Sequence, residues 1–453
     1  MKIINPSTGE LFQELPEDSP ATILTKFQKL RAGQPAWRAV PLAERIALIR
    51  KFSDELQKNE QLALILTSEV GKPLQQSKNE LNGARARIKW LTDNAEKYLS
   101  DEVMTSDGNL EERISYEPLG VIGNISAWNY PYLVGVNVFV PALLAGNSVL
   151  YKPSEFAILT GLEIARIFHI AGVPQHAFQV AVGGREAGEA MLDLDLDGYF
   201  FTGSYKTGKY IYERVAHKMV PCQCELGGKD PLYVADDIAD VKSVAAATAD
   251  GAFYNNGQSC CAVERIYVHK KVYDRYVDEF VKEVKTYKTG APTEPGVYIG
   301  PLTRSSQLDV LTAQVDEAVM KGATVLTGGK KANRKGFYFE PTVLTNVNHD
   351  MSIMRQESFG PVIGIMKVEN DDEAVRMMSD TEYGLTAAVY TANKGRAEGI
   401  LAKVDAGTGY WNCCDRVSAA VPWSGRRHSG FGSTLSHAGL RAFTKPKAYQ
   451  LRG

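Results

Sequence analysis

Cysteine is scarce: six residues in 453, none in a Cys-x-x-Cys spacing. They fall in close pairs, Cys222 and Cys224, Cys260 and Cys261, and Cys413 and Cys414. So few thiols cannot staple a chain of this size, and sequence neighbours make poor structural disulfides. A reducing, cytoplasmic setting is the expectation. Histidine is also sparse, with seven scattered residues, so no metal-ligand spacing stands out and no metal is expected. Neither sign of charge dominates: 51 Lys+Arg against 53 Asp+Glu leave a net charge of −2. That excludes nucleic-acid binding through bulk charge. There is no low-complexity tract and no evident repeat. The opening Met1-Lys2-Ile3-Ile4-Asn5-Pro6 lacks the apolar core and cleavage site of a signal peptide.

One stretch lacks charge altogether. Residues 118–151 are long enough to suggest a membrane span. They contain Pro131, Pro141, Asn124, Asn129, Asn137 and Asn147, whose polar groups a lipid-facing helix would leave unsatisfied. The stretch reads as protein interior wrapped around a ligand site, and no membrane partner is expected.

The remainder has the composition of a folded protein, 44% hydrophobic and 23% charged. At ~150 residues per domain, the length suggests about three units. Helices are expected over 41–59 and 81–99, the second with a charged outer face. Strands over 121–125, 148–151, 178–182 and 198–201 alternate with helices over 131–144, 160–171, 188–192 and 206–215. The alternation restarts near 231 and continues to 387–390. This pattern predicts an α/β fold with doubly wound parallel sheets. A hairpin-like insertion is expected over 111–117, and a final strand over 443–451 that pairs outside its own domain.

Several motifs could carry chemistry. In Gly257-Gln258-Ser259-Cys260-Cys261 a cysteine follows small residues that permit close approach of a ligand. It reads either as an activated nucleophile or as a buried core thiol. Glu225-Leu226-Gly227-Gly228 sets a carboxylate at the lip of a strand, either a general base or a solvated turn residue. In Trp128-Asn129-Tyr130-Pro131 the Asn amide is either an oxyanion donor or a helix cap. Gly203-Ser204 opens a helix, as a pyrophosphate site requires, but its spacing is not Gly-x-Gly-x-x-Gly. Lys152-Pro153-Ser154-Glu155 is a ribose-binding loop or an ordinary charged one. Glu357-Ser358-Phe359-Gly360-Pro361 places an acid and an aromatic before a proline turn.

Taken as an ordered set, Asn129, Lys152, Gly203-Ser204, Glu225, Cys260 and Glu357-x-Phe359 resemble the aldehyde dehydrogenase superfamily. So do Asn5-Pro6-Ser7-Thr8-Gly9-Glu10, Pro118-Leu119-Gly120-Val121, Pro422-Trp423-Ser424-Gly425 and Ser429-Gly430-Phe431-Gly432, so the resemblance spans the chain. It implies a Rossmann-like cofactor domain (1–104 and 119–227), an α/β catalytic domain (228–428) and a small β oligomerisation element (105–118 and 429–453). The assembly implied is a homodimer or homotetramer. The implied reaction oxidises an aldehyde to the acid. Cys260 is the implied nucleophile, Asn129 the oxyanion donor and Glu225 the base that activates water. Trp128, Lys152, Ser154, Glu155, Gly203, Ser204, Glu357 and Phe359 are implied to hold the cofactor.

Glu155 should repel a 2′-phosphate, which favours NAD while leaving NADP possible. Relatives that oxidise succinate semialdehyde carry arginines at positions that here are Asn137 and Tyr254, neither cationic. Arg416 is a candidate replacement. Tyr130, Val134, Asn137, Tyr254, Ser259, Cys261, Val417 and Trp423 are expected to line the substrate tunnel. Its mainly apolar and aromatic character favours a neutral aliphatic or aromatic aldehyde. Trp411 and Trp423 keep a cationic aldehyde such as betaine aldehyde open through cation–π contact. Cys261 offers Cys260 a disulfide partner under oxidation. Competing readings are a thioester or ester hydrolase using the same cysteine, a non-catalytic relative, and a nucleotide-binding module.

Overall fold

The computed structural model describes residues 1–453. Two large sheets dominate it. The first has six strands in the order Gly430–Phe431, Cys222–Glu225, Gly198–Thr202, Val121–Ile125, Ser148–Lys152 and Phe178–Val180. Five run parallel, and Gly430–Phe431 pairs antiparallel at the edge, Gly430 opposite Glu225. The second has seven strands in the order Thr324–Thr327, Thr342–Thr345, Val362–Val368, Val263–His269, Asp230–Val234, Thr386–Tyr390 and Thr408–Trp411. All are parallel except Thr324–Thr327 at the edge. The expected α/β alternation is therefore present twice.

The uncharged stretch is interior. Helix Pro131–Leu144 starts with Pro131 in its first turn and is buried nearly all round. Its residues join the largest core, with Trp37, Phe52, Leu66, Ile88 and Phe168 from the surrounding helices. No helix is long and apolar enough to cross a membrane. Buried Asn147 shows how one amide is settled there: it donates to the carbonyls of Ala142 and Phe443 and accepts from Gly120 N–H.

Several elements differ from the sequence-based expectation. The helix expected over 81–99 begins about two turns earlier, as Leu74–Leu99, with Pro73 just before it. Helices Pro20–Ala39, Gln61–Val70 and Ser305–Met320 were not expected. The first is capped by the Ser19 side chain and carries Pro20 at its start, a recognisable signal. The insertion is a hairpin of Glu102–Ser106 and Leu110–Pro118. The last strand, Thr444–Arg452, pairs along the whole of Leu110–Pro118 to make a three-stranded sheet.

Candidate active site

Helix Val241–Phe253 stops just before the cysteine motif. Asn255, Asn256 and Gly257 follow with left-handed backbone, at φ of 53°, 60° and 70°. Asn tolerates that region through local hydrogen bonds. Gly257 is required by space as well: a Cβ there would lie 2.2 Å from the Gly360 carbonyl oxygen. This tight loop carries Cys260 into strand Val263–His269.

The loop is tied to Asn129. The Asn129 amide donates to the Gln258 carbonyl at 3.1 Å, and the Asn255 amide donates to the Asn129 carbonyl at 3.1 Å. Two residues on, Cys260 is half-buried. Its backbone N–H meets no acceptor in the protein. An amide nitrogen has two hydrogens, so Asn129 keeps one free while it holds the loop two residues before Cys260. The Asn129 backbone is fixed in turn by Lys72, whose Nζ donates to its carbonyl at 2.7 Å and to the Glu80 carboxylate. Glu80 also accepts from Tyr132 N–H at 2.9 Å. Both charged side chains are fully buried, and each is the other's partner. Sequence reading found neither.

Glu225 ends the strand Cys222–Glu225 and is buried. Burial pushes its carboxyl up to about 7, opposed by the Thr434 hydroxyl that donates to it and by the charge of Arg87. A carboxylate that titrates near neutrality suits proton transfer. The glycines after it permit close packing. A Cβ at Gly227 would lie 2.2 Å from the Glu357 carboxylate, and one at Gly228 would lie 2.9 Å from the Cys260 carbonyl. Glu225, Cys260 and Glu357 are thus held around one short loop.

On the neighbouring face, Glu357 accepts from Gly228 N–H at 3.1 Å. Burial and the adjacent Glu264 raise its pKa. Phe359 has φ 48° and packs edge-on to Trp128 with centroids 5.5 Å apart. Glu264 imposes this turn, accepting from both Ser358 N–H and Phe359 N–H at 2.9 Å. Buried Lys229 bonds Glu264 at 2.6 Å. Lys152 ends strand Ser148–Lys152 and is buried, yet its ammonium donates only to the Pro153 carbonyl at 3.3 Å. Ser154 donates to exposed Glu155 at 3.1 Å. Gly203 follows strand Gly198–Thr202, and Ser204 caps helix Tyr205–Val215 by accepting from Thr207 N–H. A buried cation without a counter-ion, the carboxylates of Glu155 and Glu357 and the N-terminus of helix Tyr205–Val215 fit a dinucleotide.

The sequence profile of the aldehyde dehydrogenase family matches residues 1–449. The chain belongs to the aldehyde dehydrogenase family. It is 33% identical to the chloroplastic betaine aldehyde dehydrogenase of Amaranthus hypochondriacus, over 98% of this chain and 91% of that one. It is 32% identical to the succinate-semialdehyde dehydrogenase [NADP(+)] of Deinococcus radiodurans, over 98% and 93%. Among solved structures, an indole-3-acetaldehyde dehydrogenase complexed with NAD+ superposes with a TM-score of 0.97 at 30% identity, over 100% of this chain and 93% of that one. As an aldehyde dehydrogenase, the protein oxidises an aldehyde to the carboxylic acid with NAD(P).

The residues expected to line this aldehyde dehydrogenase's tunnel are only partly apolar in their surroundings. Val417 and Trp423 do pack with Cys260, Cys261, Leu385 and Leu435. Tyr130 lies under the Lys72 ammonium, 3.8 Å from ring centroid to nitrogen. Tyr254 accepts from the Asn79 amide at 3.1 Å, and Val134 is half-buried on helix Pro131–Leu144. Ser259 and Cys261 both donate to the carboxylate of Asp415, at 3.2 and 3.0 Å. Burial pushes Asp415 up to about 7. Asn137 accepts from the guanidinium of Arg87 at 2.9 Å. The position that reads as uncharged is therefore occupied by a cation from another helix. Arg416, the expected substitute, is exposed. Trp411 is exposed too, donates to the Thr391 carbonyl and is absent from the Cys260 cluster.

Proposed function

We propose that Cys260 is the nucleophile of this aldehyde oxidation. The observation that carries the reading is the free backbone N–H of Cys260 in the loop that the Asn129 amide holds at Gln258. Hydride does not leave a free aldehyde readily, because cationic character develops at carbon. Attack by the Cys260 sulfur forms a C–S bond and moves the carbonyl π pair onto oxygen. Two N–H donors, from Cys260 and Asn129, hold that alkoxide, and its lone pair drives the hydride out. A nicotinamide dinucleotide supplies the hydride acceptor when bound, with Glu357, Phe359, Trp128, Lys152, Ser154, Glu155, Gly203 and Ser204 as its holders. Glu225 then takes a proton from water, which attacks the Cys260 thioester and releases the acid. The test is an absorbance assay for NADH across a panel of aldehydes, with Cys260→Ala as the control; equal rates in the two proteins reject the assignment.

Thr434 is the positioning residue for the base, because its hydroxyl donates to Glu225. That bond favours the ionised form. Its loss should raise the pKa of Glu225 above its value of about 7. In Thr434→Val the acid limb of the kcat–pH profile is expected to move up by about one pH unit. Thr434→Ser should restore it, and an unmoved limb in the valine variant rejects the role.

For the cofactor, exposed Glu155 favours NAD over NADP, while unpaired Lys152 keeps NADP binding open. Glu155→Gln is expected to raise the NADP/NAD ratio of kcat/KM about fivefold, the size of a partly exposed charge interaction. A wild-type ratio above one for NADP overturns the preference. The six free thiols support a reducing, cytoplasmic setting. The three-stranded sheet, with exposed Val103, Met104 and Leu451, supports a homodimer or homotetramer.

A further inference from the structure

Arg87 stands in the middle of helix Leu74–Leu99 and is nine-tenths buried. Its Nη1 donates to the Leu133 carbonyl at 3.2 Å and to Asn137 Oδ1 at 2.9 Å. Its Nε and Nη2 donate to nothing in the protein. No carboxylate lies within ion-pair distance, and one edge of the guanidinium has no partner, unlike Lys72, Lys229 and Arg265. Lys72 is paired with Glu80 and Lys229 with Glu264. Arg265 is satisfied by four backbone carbonyls and the Tyr267 hydroxyl. A buried guanidinium left without a counter-ion is costly.

The bonds of Arg87 to Leu133 and Asn137, on the helix that begins just after Asn129, place the guanidinium beside the site, where Cys261, Glu225, Glu80 and Cys260 are the groups whose charge acts on it. None of them makes an ion-pair contact with it, and its only partners are neutral. Glu80 holds Lys72, Glu225 accepts from Thr434, the Cys261 thiol is committed to Asp415, and Cys260 bonds the substrate. Asn137 and the Leu133 carbonyl fix one edge of the guanidinium. The other edge, Nε with Nη2, is the fork that matches a carboxylate with two parallel hydrogen bonds.

We infer that this edge of Arg87 binds a carboxylate at the far end of the substrate, making the preferred substrate an aldehyde with a carboxylated tail. The inference rests on the assignment of Cys260 above, and it replaces the expectation of a neutral tail. Asp415 does not argue for a cationic tail, because its carboxylate is already bonded by Ser259 and Cys261.

The test compares kcat/KM for 3-oxopropanoate, 4-oxobutanoate and 5-oxopentanoate with propanal, butanal and pentanal, and includes betaine aldehyde. At one chain length the wild type should favour the carboxylated member by about 100-fold, the size of a buried charge-paired contact. Arg87→Met should erase that ratio mainly through KM, and Arg87→Lys, which keeps charge but not the fork, should retain about a tenth of it. A second arm needs no variant: glutarate or succinate should slow alkylation of wild-type Cys260 by iodoacetamide, and acetate at equal concentration should not. A wild-type ratio near one, an equal loss of both substrate classes in Arg87→Met, absence of dicarboxylate protection, or preference for betaine aldehyde each overturns the inference while leaving Cys260 in place. No NADH from any aldehyde overturns both.

Discussion

Replacing Cys260 by alanine is expected to reduce NADH formation by at least about 10⁴-fold, since no other step can begin without the sulfur. The neighbouring thiol does not compensate. Cys261 is buried, its proton is directed at Asp415, and its pKa is pushed well above the usual thiol value by the contact with Cys260 and by burial. It is a poor nucleophile at neutral pH. The fold should survive, because the half-buried sulfur contributes little packing and the loop is held by Asn255, Asn256 and Gln258. The check is a pair of measurements: steady-state absorbance at high enzyme concentration, and thermal unfolding. Residual turnover above a tenth of wild type in a normally folded variant rejects Cys260 as nucleophile.

Glu225→Gln should separate oxidation from hydrolysis. The acid-forming step loses its proton acceptor, so kcat is expected to fall about 10³-fold, within the range for general bases. The oxidative step keeps Cys260, Asn129 and the cofactor residues, so mixing with aldehyde and NAD should give a burst of about one NADH per site before turnover stalls. Glutamine can still accept from Thr434, which limits disturbance of the strand end. Mass spectrometry of the quenched enzyme should find the acyl group on Cys260. A variant with no burst at all, or with wild-type turnover, excludes this role for Glu225.

The parts of the centre that were legible in the sequence are those whose function lies in contiguous residues. Asn255-Asn256-Gly257 before Cys260 announces a sharp turn because few other residues accept such backbone, and Gly227-Gly228 after Glu225 announces close approach because no side chain fits there. What was missed lies in partners distant along the chain. Glu264 shapes the Glu357–Phe359 turn from 94 residues away, and Arg87 reaches Asn137 from 50. The charges of the helix expected over 81–99 read as a solvated outer face. Periodicity held the contrary signal: Gln76, Glu80, Ala84, Arg87 and Leu91 recur at intervals of three and four, one continuous buried stripe. Its polar members are the ones that touch the site. Thr434 was hidden for a different reason, since a lone threonine past the second sheet gives no hint that the chain returns to Glu225.

That return couples the integrity of the fold to turnover. The strand carrying Glu225 is completed at its edge by Gly430–Phe431, and the Glu225 carboxylate is bonded by Thr434, both from beyond the second sheet in the chain. Four of the five parallel strands of the first sheet come from residues 121–202, yet its edge is closed only by a segment that returns after the whole second sheet has been crossed. Removing residues 429–453 would strip the edge strand from the first sheet, the Thr434 hydroxyl from Glu225 and both Leu440 and Phe443 from the largest core, so stability and turnover should fall together.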